Sequence, residues 1–178
     1  MKVTLEKVVS FVVPGRPQQR GSKTAVPVGK RGGGYLTAKN GRPLISVTDS
    51  NKKSKAYMQS VSLIAKHAHA GRPLIEVPIA LSVRFYFRRP QDHYGTGRNS
   101  DKLKPSAPII HSQSPDLAKL LRCIEDGITG HVWLDDRLVF RYLDDTGRYW
   151  TEGEERAEVT IFKALPAAPL LDQGEVLQ

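Results

Sequence analysis

The chain has 178 residues, 39% of them hydrophobic, and carries 27 Lys and Arg against 18 Asp and Glu, a formal charge of +9. That length and apolar content support one domain with its own core and exclude a disordered tail protein. No apolar run approaches the roughly 20 residues that cross a bilayer, and residues 8–13 (VVSFVV) are too short for an export signal, so the sequence reads as soluble and cytoplasmic. The single Cys123 cannot form an internal disulfide and reads as a small buried apolar residue.

In chain order, residues 3–13 (VTLEKVVSFVV) are rich in β-branched side chains and run into Pro14-Gly15, which predicts a strand and a turn. Residues 16–46 are rich in Gly, Arg and Lys around Gly32-Gly33-Gly34 and are expected to form a long mobile loop. A helix is predicted over 49–70, with Asp49-Ser50 as capping candidates and an end near Gly71-Arg72-Pro73. The clearest strand is 79–87 (IALSVRFYF). Ile79, Leu81, Val83, Phe85 and Phe87 share one face, Ser82, Arg84 and Tyr86 the other, and Pro90 stops it. Residues 90–113 read as a second basic loop. Gly95-Thr96-Gly97-Arg98 offers N–H groups beside a cation to a phosphate, or is simply a flexible loop.

A well-marked helix follows over 115–127, with Ser114 as N-cap, Pro115 at its first position and Asp116 where the helix dipole favours an anion. At 100° per residue Leu117, Leu120, Leu121, Ile124 and Ile128 fall on one side. Ala118, Lys119, Arg122, Glu125 and Asp126 fall on the other, with Asp116 and Cys123 near the edge. Gly127 and Gly130 are expected to end it. Residues 138–143 read as a strand, Asp144-Asp145-Thr146-Gly147 as a hairpin turn, and 156–163 as the last strand. The tail 166–178 is expected to be poorly ordered, leaving 1–165 as the domain.

Charge is unevenly spread. Residues 1–110 hold 20 Lys and Arg against 5 Asp and Glu, while residues 111–178 hold 7 against 13. Cations that track a phosphate backbone beside carboxylates that gather a metal make the sign pattern of a nuclease; a plain nucleic-acid binder or ordinary solvated faces produce it too. Asp116 and the pair Asp135-Asp136 are the carboxylates of interest. Hydrolysis of a phosphodiester needs a hard divalent cation held by oxygen ligands, which polarises the phosphoryl oxygen and acidifies a bound water. Each also has a plain structural reading, Asp116 as a partner of the helix dipole and Asp135-Asp136 as a turn. Arg122 can meet a phosphate or the charge of the transition state, or simply pair with Asp126 one turn on.

The string Pro115-Asp116-Leu117-Ala118-Lys119-Leu120-Leu121-Arg122, then Asp126, then Val132-Trp133-Leu134-Asp135-Asp136 resembles the signature of RusA-type Holliday-junction resolvases. The family pattern is roughly P-D-x-D-[NK]-L-x-[KR]-x-x-x-D-x-L followed by W-x-D-D-x-x-V, met here with Ile128 for the second leucine and Val139 for the valine. The strand ending in Pro14-Gly15-Arg16-Pro17 and the one ending in Arg88-Arg89-Pro90 are similar to family members, and His93–Arg98 resembles phage-borne ones, whose site of action would be the host cytoplasm. The resemblance covers about residues 8–163. It implies a homodimer that binds four-way DNA junctions in recombination and repair and introduces paired nicks with Mg²⁺, or Mn²⁺ in its place, held by three aspartates. Asp116 matches the first aspartate and Asp136 the third, with Asp135 its acidic neighbour; Arg122 matches the basic residue on the helix. The second aspartate matches Ala118, and alanine cannot ligate a metal.

That departure reads as an engineered inactivating substitution, as a natural degenerate member that binds without cutting, or as a loss compensated by a neighbour such as Asp126. The rest of the motif is intact, which favours the first. The expected fold is a single compact α+β domain, a mixed sheet packed against the helices 49–70 and 115–127, with Asp116 and Asp136 meeting at one edge. The basic loops 16–46 and 88–104 would surround them. Arg16, Arg20, Lys23, Lys30, Arg31, Arg88, Arg89, Arg98, Lys102, Lys104 and Lys119 are the candidate DNA contacts. The competing functions are a non-catalytic branched-DNA-binding protein and a flap or single-strand nuclease on the same site.

Overall fold

The computed structural model describes residues 3–166. The first strand, β1 (Val3–Pro14), alternates buried Val9, Phe11 and Val13 with exposed neighbours, as its β-branched pattern requires. It pairs antiparallel along its length with β7 (Arg156–Pro166), which is three residues longer than the sequence suggests. β7 pairs in turn with β4 (Ile79–Arg88), the most buried strand. The predicted apolar face of β4 is at most 1% exposed from Ile79 to Phe87. Ala80 and Ser82 on its other face are buried as well, and Ser82 Oγ is bonded to Asp145. The expected tail falls outside the described residues, except that Pro166 closes β7.

The region 138–151 corrects the hairpin expectation. β5 (Val139–Tyr142) and β6 (Gly147–Thr151) do not pair with each other; both run parallel to β4, β5 beside its first half and β6 beside its second. The turn chemistry of residues 144–147 is real, but its polar groups bond to β4. Leu143 N donates to Leu81 O at 2.7 Å, Val83 N donates to Thr146 Oγ1 at 3.2 Å, and Ser82 Oγ donates to Asp145 Oδ2 at 2.7 Å. The connection between β5 and β6 is therefore tied to β4 and does not form a hairpin. The main sheet is mixed, in the order β1-β7-β4 with β5 and β6 along the far edge.

Residues 23–49 are also not a shapeless loop. β2 (Lys23–Pro27) and β3 (Ile45–Asp49) pair antiparallel as a separate two-stranded arm. Between them Val28, Leu36 and Leu44 exchange backbone hydrogen bonds of 2.7–2.9 Å. Gly32, Gly33 and Gly34 all take positive φ at the tip, a conformation that side-chain-bearing residues rarely adopt. The Gly-rich composition thus marks a tight reversal between paired segments.

Two helices cover one face of the sheet. α1 (Lys52–His69) is capped by Asn51, whose side chain accepts from Lys53 N, so the cap lies one residue beyond the predicted pair. α2 (Leu117–Ile128) buries Leu120, Leu121, Cys123, Ile124 and Ile128 into the same core as β1, β4, β7 and α1. Gly127 does not end α2. It lies inside the helix and is buried where α2 crosses α1: a Cβ there would sit 2.8 Å from Val61 Cγ1 and 3.2 Å from Met58 O. Ser62 Oγ donates to Gly127 O at 2.6 Å across the same contact. Together these elements form the single α+β domain expected. No helix among the described residues is long and apolar enough to cross a membrane.

Gly127→Ala tests this crossing. Better helix propensity stabilises alanine by about 1 kcal/mol, while overpacking a close contact costs about 1–3 kcal/mol. The second effect wins because backbone, not a flexible side-chain end, is among the obstructing atoms. Chemical unfolding is expected to show a net loss of up to about 2 kcal/mol; a raised midpoint would mean that the helices separate freely.

Candidate active site

The first turn of α2 is held from several sides. The N-cap is Asp116, not Ser114: its Oδ1 accepts from Lys119 N at 3.1 Å. Ser114-Pro115 is a cis peptide and precedes the helix, so Pro115 is not its first residue. Asp116 N donates to Gln19 Oε1 at 2.7 Å, Arg20 N donates to Lys119 O at 3.0 Å, and Lys119 Nζ lies 3.4 Å from Ser22 Oγ. The segment after β1 is thereby laid against the helix start. From β6, Arg148 Nη1 donates to Pro115 O at 2.8 Å and to Gln113 O.

These groups enclose an open pocket of about 660 Å³ lined by Gln19, Gln113, Asp116, Ala118, Lys119 and Arg148, among others. Ala118 is exposed on its wall. A carboxylate at 118 would stand two residues from Asp116 in the same pocket. Leu117 and Arg148 also line an adjoining groove with Ile109, Ile110, Tyr149 and Trp150. Ile109 is 90% exposed, although it is a large apolar residue.

Asp136 begins a short 3₁₀ turn (Asp136–Leu138) that Asp135 caps, accepting from Arg137 N at 2.9 Å. Asp136 acts on a second acidic group further along α2. Half-buried Glu125 accepts a short hydrogen bond from Tyr142 of β5. Burial raises the Glu125 carboxyl above its ordinary value; the Tyr142 bond opposes this, and the charges of Asp136 and Asp126 add to the rise. Tyr142 is itself pushed up by burial and by Glu125. Arg122, exposed on the same face, favours the ionised forms of both. Asp126 is paired with Arg20 at 2.8 Å.

Among the described residues no group of three or more His, Cys, Asp or Glu side chains is arranged to hold a metal ion. Four of the nearby carboxylates have protein partners, Asp116 in its cap, Asp135 with Arg137, Asp126 with Arg20 and Glu125 with Tyr142. Asp116 and Asp136 are thus not part of a preformed cluster of three such groups, and position 118 contributes only a methyl group.

The predicted cations divide. Lys23, Lys30, Arg31, Arg88, Arg98, Lys102, Lys104 and Lys119 are exposed, and Arg16 is 63% exposed at 3.9 Å from Glu155. Arg20 and Arg89 are instead used within the protein, Arg20 on Asp126 and Arg89 on Pro108 O at 2.8 Å and over the Trp150 ring. The loop 90–113 is built from two 3₁₀ turns, with Gly95 N bonded to Lys102 O at 2.9 Å. Gln19, Glu125-Tyr142 and Arg148 were not singled out from the sequence. Glu125 was visible on the polar face, but nothing local marks Gln19 or Arg148.

Residues 26–162, about three quarters of the chain, match the model of a protein family described as endodeoxyribonuclease RusA. No curated protein matches the chain.

Buried His111 sits between Phe87 and Trp150, with ring centroids 4.6 and 4.2 Å away. Burial lowers its pKa from the ordinary 6.5, and the charges of Arg148 and Arg16 lower it further against an opposing backbone hydrogen bond. The unfolded chain therefore binds this proton more readily than the folded one, so stability falls as pH drops through about 6.5 and below. In His111→Phe that part of the pH dependence should vanish, with unfolding midpoints at pH 5 and 7.5 drawn closer together. An unaltered gap would assign the effect to other groups.

Proposed function

Because that match covers most of its length, the chain belongs to the RusA family of Holliday-junction-resolving endodeoxyribonucleases, and we propose that it binds four-way DNA junctions as a nuclease weakened at Ala118. The observation that carries this reading is the open pocket shared by Asp116 and Ala118 on α2, with Lys119 and Arg148 on its wall. Cations beside an oxygen-donor site suit a phosphodiester. The exposed cations of residues 16–31 and 88–104 extend that surface.

The family is dependent on a divalent metal, for which we assign Mg²⁺. Asp116 and Asp136, with Asp135 beside the latter, are the carboxylates assigned to it, and the set falls one short at position 118. Arg122 supplies a cation for a phosphate or for charge developing in the transition state. Paired nicks across a two-fold junction call for two copies of the site, hence a homodimer. The place of action is the cytoplasm, where the DNA is. A second reading, a junction-binding protein that does not cut, is favoured by Ala118 itself.

Ala118→Asp separates the two. On a synthetic four-way junction with Mg²⁺ or Mn²⁺ the restored form should cut at least about 100-fold faster than the present chain, the scale of one well-placed electrostatic group. A restored form that binds junctions yet stays inert would sink the catalytic reading and leave the binding one. In that background Arg122→Ala should lower cleavage by about 10-fold or more with junction affinity altered less; a loss confined to binding would take Arg122 off the catalytic list.

A further inference from the structure

The arginines of the domain differ in what neutralises them. Arg20 meets Asp126, Arg84 and Arg156 meet Glu158, and Arg137 meets Asp135. Arg148 is held by two neutral backbone carbonyls, Gln113 O and Pro115 O, which flank Ser114, the second immediately before Asp116. Both bonds come from Nη1 and use its two protons. Among the described residues no carboxylate pairs with this guanidinium, and its Nε and Nη2 hydrogens have no protein acceptor. The Nε–Nη2 edge of a planar guanidinium is the one whose parallel N–H groups match two phosphate oxygens. The side chain is half-buried in the wall of the pocket that contains Asp116 and Ala118. Its backbone is fixed by pairing of β6 with β4, Arg148 opposite Phe85.

We propose that Arg148 is a phosphate-binding and positioning residue of this site, one end of its guanidinium fixing the backbone that leads to Asp116 and the other gripping the phosphodiester to be cut. The assignment rests on the nuclease reading and extends it to a residue on a different element from the aspartate motif. Two carbonyls without a carboxylate orient the cation but leave its charge unspent, which suits an anion that arrives only with substrate. A lysine keeps the charge but has no planar fork with which to hold two carbonyls and a phosphate together.

The test compares Arg148→Gln and Arg148→Lys with the parent chain in binding to a synthetic four-way junction at several salt concentrations. Loss of one phosphate contact should reduce the slope of log affinity against log salt by about 0.9, so Arg148→Gln should show that reduction and Arg148→Lys should not. The distant control Lys163→Gln, whose parent residue pairs with Glu6 at the other end of β7, should keep the parent slope. In the Ala118→Asp background Arg148→Lys should lower kcat about 10–100-fold with KM little changed, since it misplaces groups without removing charge. If Arg148→Gln folds poorly, the Arg148 Nε–H resonance of the parent, identified by its absence in Arg148→Lys, should still shift when junction is added. An unchanged slope in a folded Arg148→Gln, or an unmoved resonance, would make Arg148 a structural strut and overturn the assignment alone. Failure of the parent to bind junctions would instead remove the nuclease reading, and this assignment with it.

Discussion

The approach of α2 to α1 at Gly127 is the contact on which the geometry of the site depends. With no side chain there, Val61 and the Met58 carbonyl come within a distance that a Cβ would occupy, and Ser62 ties the two helices together. That contact fixes the height of α2 over the sheet, while Leu120, Ile124 and Ile128 fix its rotation by entering the core. Once both are set, Asp116, Ala118 and Arg122 have no freedom to face elsewhere. The exposed face of α2 is a consequence of its buried one.

The ends of the helix are then specified by polar contacts from distant parts of the chain. Gln19 follows β1, Arg148 belongs to β6, and both act on the backbone around Asp116. Further along, Tyr142 of β5 donates to Glu125, and the charge of Asp136 acts on the same carboxyl. All of these approach from segments that the sheet brings alongside the helix. The parallel edge formed by β5 and β6 matters most here, since a hairpin at residues 144–147 would have left Arg148 in a different register from β4. A site assembled this way puts cations and carboxylates from separate elements into one neighbourhood, where their mutual energies depend strongly on distance and burial.

Much of this was legible in the sequence. The strict alternation of 79–87 reported a strand because its side chains had to satisfy one buried face, and the structure buries each of the five predicted residues. The same holds for α2, whose apolar residues follow a helical period. Boundaries were less secure, because capping is a matter of one or two side chains. Asn51 and Asp116 each displaced the expected cap. The paired strands around the Gly-rich stretch were missed because glycine signals positive φ without saying whether the turn it makes joins paired strands. β6 was missed because its partner β4 is some sixty residues away, and a parallel partner leaves no turn signature between them.

The sequence by itself determined the membership of the chain, the helix that Asp116 caps, and the alanine that stands at 118, since each is written in residue identity and spacing along one segment. Only the tertiary structure decided the company those residues keep. It paired Asp126 with Arg20, bonded Glu125 to Tyr142 within reach of the charge of Asp136, and brought Arg148 to the carbonyls before Asp116. The physical reason is that a charge acts through space. Its partner is chosen by the folding of the backbone around a shared core, which a local pattern of residues does not encode.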